Sequence, residues 1–366
     1  MSCNPQDRPT PEHTHWAREN RLFEIRREVE RKGYVDAGIL PITGAPFSMA
    51  SPETGYYGVP LLKEPQWSWE IPPYFFVGGA AGSAAVIGAI AHWTGRDEQL
   101  ARDCRLLAAG GAIASSALLI SDLGCPARFL AMLRVFKPQS PMSVGAWTLA
   151  AFGTFSGAAA FAQIAAERFG LPVRILGNFA EVFSFAAGLP FSNYTGVLIG
   201  ATAIPVWNEN IHSLPIHFGM SGLNSAVGIL ELIGHENTAL NTLGIGAAVV
   251  ETLEGVNIEV SRKPAEEPLK RGTSGFITRL GGVLSGPVPL ALRIAAAFAG
   301  SRRSKKLRKA AAISSVAGSM LTRVAWVHAG HVSARDWRLP LEIEQKKDWP
   351  AITRAGMPVS KIVKEA

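Results

Sequence analysis

The feature that most constrains this chain is a succession of apolar runs, each near the ~20 residues that cross a bilayer, with the charge gathered between them. In hydrocarbon a segment must satisfy its own backbone hydrogen bonds, so such runs predict helices. They lie at about Pro72–Trp93, Asp103–Ser121, Val144–Glu167, Val173–Trp207, Leu214–Ile233, Thr238–Val260, Gly275–Ala299 and Ala310–Gly330. The fourth is long enough for two spans, but Gly188-Leu189-Pro190 offers only a kink, so one Pro-bent helix is expected. The seventh is weakened by Pro287 and Pro289, and the block Arg302, Arg303, Lys305, Lys306, Arg308, Lys309 divides it from the eighth. The predicted fold is an all-α polytopic membrane protein of eight transmembrane helices, paired as two four-helix bundles.

Composition agrees with this. Of 366 residues, 48% are hydrophobic and only 18% charged, and Gly and Ala inside the apolar runs suit close packing in lipid. The expected organisation is a soluble N-terminal extension (1–70), a first bundle (71–210), a second bundle (211–331) and a polar tail (332–366). Within the extension, Trp16–Lys32 reads as a charged surface helix, ordered with the Pro/Gly/aromatic run after it only against a partner. No signal peptide is expected, because no apolar core follows a basic start. Nucleic-acid binding is a poor use of the net charge of +7, which belongs to membrane flanks. Cys3, Cys104 and Cys125 are too scattered for an iron–sulfur cluster, and no C-x-x-C-H haem site exists. His13 and His15 lack a third ligand, and His92, His212, His217, His328 and His331 sit mainly near helix ends. No metal, haem or cluster is therefore expected in this chain.

Leu118–Ser143 is the most informative stretch. An apolar helix runs into Asp122-Leu123-Gly124, and a short amphipathic segment follows with Phe129, Leu130, Leu133 and Phe136 among Arg128, Arg134 and Lys137. Pro138, Ser140 and Pro141 then return the chain to apolar sequence. An acid at a helix end beside a basic-apolar segment describes a pocket at the membrane interface. Equally, Asp122 is a cap and Arg128 snorkels to headgroups. Asp-Leu-Gly, Pro126, Arg128-Phe129, Met132-Leu133, Lys137-Pro138 and Ser140-Pro141-Met142-Ser143 resemble the signature of the NrfD/polysulfide-reductase membrane-subunit family. Trp67-x-Trp69-Glu70-Ile71, Tyr74, Gly78-Gly79 and Gly82 are similar to its first-helix motif. Tyr194-Thr195-Gly196-Val197-Leu198, Pro205-x-Trp207-Asn208 and Leu214-Pro215 are similar to its fourth-helix motif, and Arg323 ahead of Gly330 to its late arginine.

The resemblance implies a quinone- or quinol-binding subunit (menaquinone or ubiquinone) of a multi-subunit oxidoreductase. Tyr74, Asp122, Arg128 and Tyr194 would form the quinone site, with Arg128 holding the acid charged. Arg134 and Lys137 would border the docking surface of a ferredoxin-like iron–sulfur subunit, itself tied to a molybdopterin or other catalytic subunit. As belt residues, Tyr194 and Tyr74 would be unremarkable. Glu181, Glu231 and Glu251, with Arg293 and Arg323, fall inside apolar runs, where each charge costs at least ~2.5–3.5 kcal/mol. They should pair, as Glu251 with Arg323, or relay protons; the resemblance implies a proton path over Glu181, Glu231, Glu251 and Arg323. A secondary transporter and a passive membrane anchor are the rival readings. The expected location is the bacterial inner membrane, multi-pass among its lipids. Loop charge puts the basic-block side in the cytoplasm and both termini in the periplasm.

Overall fold

The computed structural model describes residues 60, 62–124, 126–336 and 339–342, with the backbone alone at 126–128 and 341–342. The expectations for Trp16–Lys32, His13 and His15 lie outside the described residues. Among the described residues the regular elements are all helical. In chain order they are α1 (Ile71–Trp93), α2 (Glu98–Leu123), α3 (Pro126–Met132), α4 (Pro141–Phe169), α5 (Arg174–Gly200), α6 (Pro205–Asn208), α7 (Leu214–Ile233), α8 (Thr238–Val260), α9 (Gly272–Ser285), α10 (Pro287–Ala297), α11 (Ser301–Arg335) and α12 (Leu339–Glu342).

Local chemistry sets the helix ends. A proline opens α1, where its missing N–H costs nothing. The Asp97 side chain accepts from Leu100 N at 2.9 Å to cap α2, and Gly124 in the left-handed region (φ 64°) ends it just beyond Asp122. Ser140 caps α4 by accepting from Ser143 N. α1 lies at the middle of the bundle, packed on α2, α5, α7 and α11. The approach to α7 is close enough that a Cβ on Gly79 would sit 3.3 Å from the Gly222 Cα. The core at this seam is aromatic: Phe75, Phe191, Phe218 and Trp207 are all fully buried.

Three expectations need correction. The fourth span does not continue to Trp207; α5 accommodates Pro190 but stops at Gly200, and Trp207 falls in the separate α6. Trp207 turns inward instead, donating Nε1–H to the Trp326 carbonyl at 2.8 Å and stacking on Trp67 at 4.9 Å between centroids. The seventh span is two helices broken at Gly286, since Pro287 lacks the N–H that would bond back to Val283. The basic block is not a loop but the first turns of the 35-residue α11.

By length and composition, seven of the helical segments can cross a membrane, counting α9 and α10 as one (Gly272–Ala297). α8, with 23 residues, is not among them, because Glu251, Glu254 and Glu259 lower its hydropathy. The start of α1 and the end of α11 nevertheless meet. Glu64 accepts hydrogen bonds from Arg335 (2.6 Å) and lies 3.0 Å from His331 Nδ1.

Burial acts to raise the Glu64 pKa, but hydrogen bonds from Arg335 and His331 outweigh it and hold the carboxyl below its ordinary value. A depressed folded-state value stabilises above the unfolded pKa and is lost as pH falls through the folded one. Glu64→Gln should therefore cost about 1 kcal/mol or less at neutral pH, given the partial exposure of the clamp. In thermal unfolding, the difference from wild type should shrink as the pH drops through the carboxylate range. A difference that persists unchanged in acid would contradict the clamp.

Candidate functional site

Neighbouring helices run in opposite directions, so the first turns of α1 meet the end of α2 and the C-terminal half of α5. Tyr74, Asp122 and Tyr194 thereby come onto one cavity of about 70 Å³, walled also by Trp67, Met132 and Met142. Tyr74 and Tyr194 are buried, while Asp122 is half-buried at the rim. The Tyr194 ring is pressed against α4 at Gly145, where a Cβ would come within 2.2 Å of Cε1. Its hydroxyl is buried and, beyond its approach to the Gly145 backbone, has no partner of hydrogen-bonding geometry among the described residues. Such a group costs free energy until something hydrogen-bonds it.

Asp122 Oδ1 accepts from the Ser68 hydroxyl at 2.7 Å and from Ser68 N at 3.2 Å. The same hydroxyl is also in hydrogen-bond contact with Glu70 Oε2, and Ser121 donates to Glu70 Oε1 at 3.2 Å. A serine hydroxyl carries one proton, so it can donate to only one of two carboxylates at a time. The hydrogen bond from Ser68 is the main cause holding the Glu70 carboxyl below its ordinary pKa. Asp122, Ser68 and Glu70 thus form a hydrogen-bonded chain from the cavity rim towards the surface.

The Arg128 side chain lies outside the described residues, and among the described ones Asp122 is partnered by Ser68. Arg134 and Lys137 are exposed just beyond α3, near the same end of the bundle. The Lys137 amide donates to Ser143 Oγ, tying that turn to α4.

Two of the three intramembrane acids are paired with arginines, as buried charges require. Glu181 forms a two-pronged pair with Arg105 (2.8 and 3.0 Å). Glu231 accepts from Arg293 at 2.8 Å and from Arg308 at 3.2 Å. The suggested Glu251–Arg323 pair does not form. Arg323 instead donates to the Phe218 carbonyl at 2.8 Å with its guanidinium 4.2 Å above the Phe218 ring. Glu251 accepts from Ser285 Oγ at 2.7 Å and faces His217. No group of three or more His, Cys, Asp or Glu among the described residues is arranged to hold a metal ion.

A profile of the family described as Polysulphide reductase, NrfD matches residues 61–257, more than half of the 366. The chain belongs to the NrfD family. It is a multi-pass membrane protein, and membership makes it a membrane subunit of a redox complex. Proteins of the family work beside iron–sulfur and catalytic subunits. A comparison with curated proteins finds no match. The match covers Tyr74, Asp122 and Tyr194 and stops before α9 to α11. Sequence reading missed two participants at this site of the NrfD chain, Ser68 and Gly145, and weighed His217 only as a metal or haem ligand. Ser68 sits between two interfacial tryptophans with no motif of its own, and Gly145 looked like any small residue in a span.

Proposed function

We propose that this NrfD subunit binds quinol or quinone in the cavity of Tyr74, Asp122 and Tyr194. There it would exchange electrons with an iron–sulfur protein docked on the same end of the bundle. The observation that carries this is the convergence of those three side chains, from three helices, on one apolar cavity with an unpartnered buried hydroxyl. A ring with two hydrogen-bonding oxygens and an apolar tail suits that donor set and those walls. The cavity is smaller than the ~300 Å³ at the low end of ligand pockets, so entry requires Met132 and Met142, unbranched and flexible, to move aside.

Quinol held there supplies two electrons and two protons. Tyr194 hydrogen-bonds one ring oxygen and orients it. Asp122 would take the two protons one after the other and pass each through the Ser68 hydroxyl to Glu70, whose depressed pKa favours release to water before the next arrives. The electrons leave to an iron–sulfur partner whose docking face is bordered by Arg128, Arg134 and Lys137. That partner connects to a catalytic subunit, of the molybdopterin class in this reading. α8 crosses with the other seven spans, giving two four-helix groups meeting at α1 and α7; the Glu64 clamp supports an even number of crossings. Both ends then face the periplasm of a bacterial inner membrane, by the excess of basic residues in the opposite loops. A proton path through the buried acids narrows to Glu251, because Glu181 and Glu231 are held by arginines.

Family membership weighs against the transporter reading, and turnover separates the active subunit from a passive anchor. Gly145→Ala should displace the Tyr194 ring without touching Asp122. Quinol-dependent reduction of the iron–sulfur partner, per intact complex, should fall at least ten-fold. Unchanged turnover in a complex that assembles normally would argue for the anchor.

A further inference from the structure

A second and larger cavity, about 350 Å³, lies between α7, α8, α9 and α11, away from Asp122. Its walls are mostly apolar, formed by Val256, Ile258, Val283, Pro287, Ala325 and Trp326. Val256 and Val283 are 55% and 46% exposed, so the mouth opens sideways, towards where lipid tails would lie. At the inner end are His217 and Glu251, 5% and 1% exposed. Among the described residues neither ring nitrogen of His217 has a hydrogen-bond partner, and Glu251 Oε1 has none. His217 Nδ1 and Glu251 Oε1 are 3.6 Å apart, just beyond hydrogen-bonding reach of each other.

The threonine hydroxyls and the charged groups at the edge of this cavity are already engaged. Thr252, Thr278 and Thr322 give their hydroxyl protons to the carbonyls of their own helices, at 2.7, 2.9 and 3.0 Å. Glu259 and Arg279 pair with each other at the edge. One imidazole and one carboxyl oxygen are left open, buried at the end of an apolar slot. A buried acceptor and donor left open in this way cost free energy unless a ligand supplies the counterparts.

We infer that this cavity is a second binding site, for a neutral lipid-soluble molecule whose hydroxyl or carbonyl oxygen engages His217 and Glu251. A quinol-type ring and the ester of a membrane lipid both offer an oxygen that accepts from His217, and the quinol hydroxyl can also donate to Glu251. The site does not rest on the Asp122 reading. It is separated from the Asp122 cavity by the Phe75 and Phe218 rings, which lie 6.0 Å apart, with Phe218 a further 6.0 Å from His217.

Two glycines make the test clean. Gly255 and Gly282 line the cavity, and a Cβ on either meets nothing within 4 Å, so a larger side chain fills the slot without a backbone clash. The purified complex in phosphatidylcholine nanodiscs is titrated with radiolabelled decylubiquinone by equilibrium dialysis. Phospholipid retained in detergent is counted by native mass spectrometry. Wild type should hold one more decylubiquinone, or one more phospholipid, than Gly282→Leu and Gly255→Leu; which of the two is lost names the source. Gly145→Ala should leave this occupancy intact while losing the other, so the two sites fail separately. Wild type that saturates at one decylubiquinone and retains no phospholipid would overturn the inference. So would filled variants of undiminished occupancy.

Discussion

Asp122→Asn is expected to abolish quinol-dependent electron transfer while the complex assembles with its iron–sulfur partner bound. Asparagine keeps the shape and can still accept from Ser68, so the end of α2 should stay capped on the segment before α1. What it loses is the titratable group at the cavity rim, and with it the chain of Asp122, Ser68 and Glu70. Tyr194→Phe is the milder change. It removes one hydrogen bond to a neutral oxygen, worth ~0.5–1.5 kcal/mol, which weakens quinone binding by about ten-fold or less. A capping or belt role predicts the reverse pattern, with modest loss of stability in both variants and normal activity per assembled complex. The comparison is made on quinol turnover normalised to intact complex.

The largest effect on stability is expected at Glu231. Arg293 is fully buried and donates from one terminal nitrogen to Glu231 and to Asn241, at 2.8 and 3.2 Å. Its Nε and other terminal nitrogen have no partner among the described residues, so part of the desolvation cost of the pair is not offset. Glu231→Gln removes the balancing charge and should destabilise the protein by about 3–5 kcal/mol. Replacing both residues by apolar ones of similar volume, Glu231→Leu with Arg293→Met, should recover part of that loss, because the fully buried charge is then gone and Arg308, 18% exposed, keeps the Asn237 carbonyl as a partner. Thermal unfolding of the detergent-solubilised complex reads both. Should the double variant be no more stable than Glu231→Gln, the pairing argument would fail. Loss of turnover per folded complex in the double variant would return Glu231 to the proton path.

Much of the fold was legible in the sequence because lipid imposes one rule on every span. The Leu214–Ile233 and Thr238–Val260 boundaries agree with the apolar runs to the residue. Errors arose where a helix continues or stops for reasons other than hydropathy. Arg302 to Lys309 look like a loop by charge, yet they are good helix formers and simply extend α11 out of the apolar region. The run to Trp207 looks continuous, yet the chain breaks after Gly200 so that the indole can reach Trp67 and the Trp326 carbonyl. Those partners lie far off in sequence, and no local pattern announces them.

The site was legible in its aromatic and acidic members and silent in its small ones. Asp122 and Tyr194 stand out because a carboxylate and a phenol are conspicuous near the ends of apolar helices. Ser68 matters only because the segment before α1 folds across the end of α2, a tertiary fact. The same limit applies to the buried charges. Sequence says that Glu181 and Glu251 need compensation, but not that Arg105 answers the first while a serine and a histidine face the second.

Photolabelling with an azido-quinone tests the central claim most directly. The intact complex is labelled in the membrane, digested, and the modified peptides are identified by mass spectrometry, with and without excess decylubiquinone. Label that decylubiquinone displaces should fall on peptides carrying Tyr74, Met132, Met142 or Tyr194, and Gly145→Ala should remove it. A complex that oxidises quinol yet carries displaceable label only outside the lining of the Asp122 cavity would contradict the assignment.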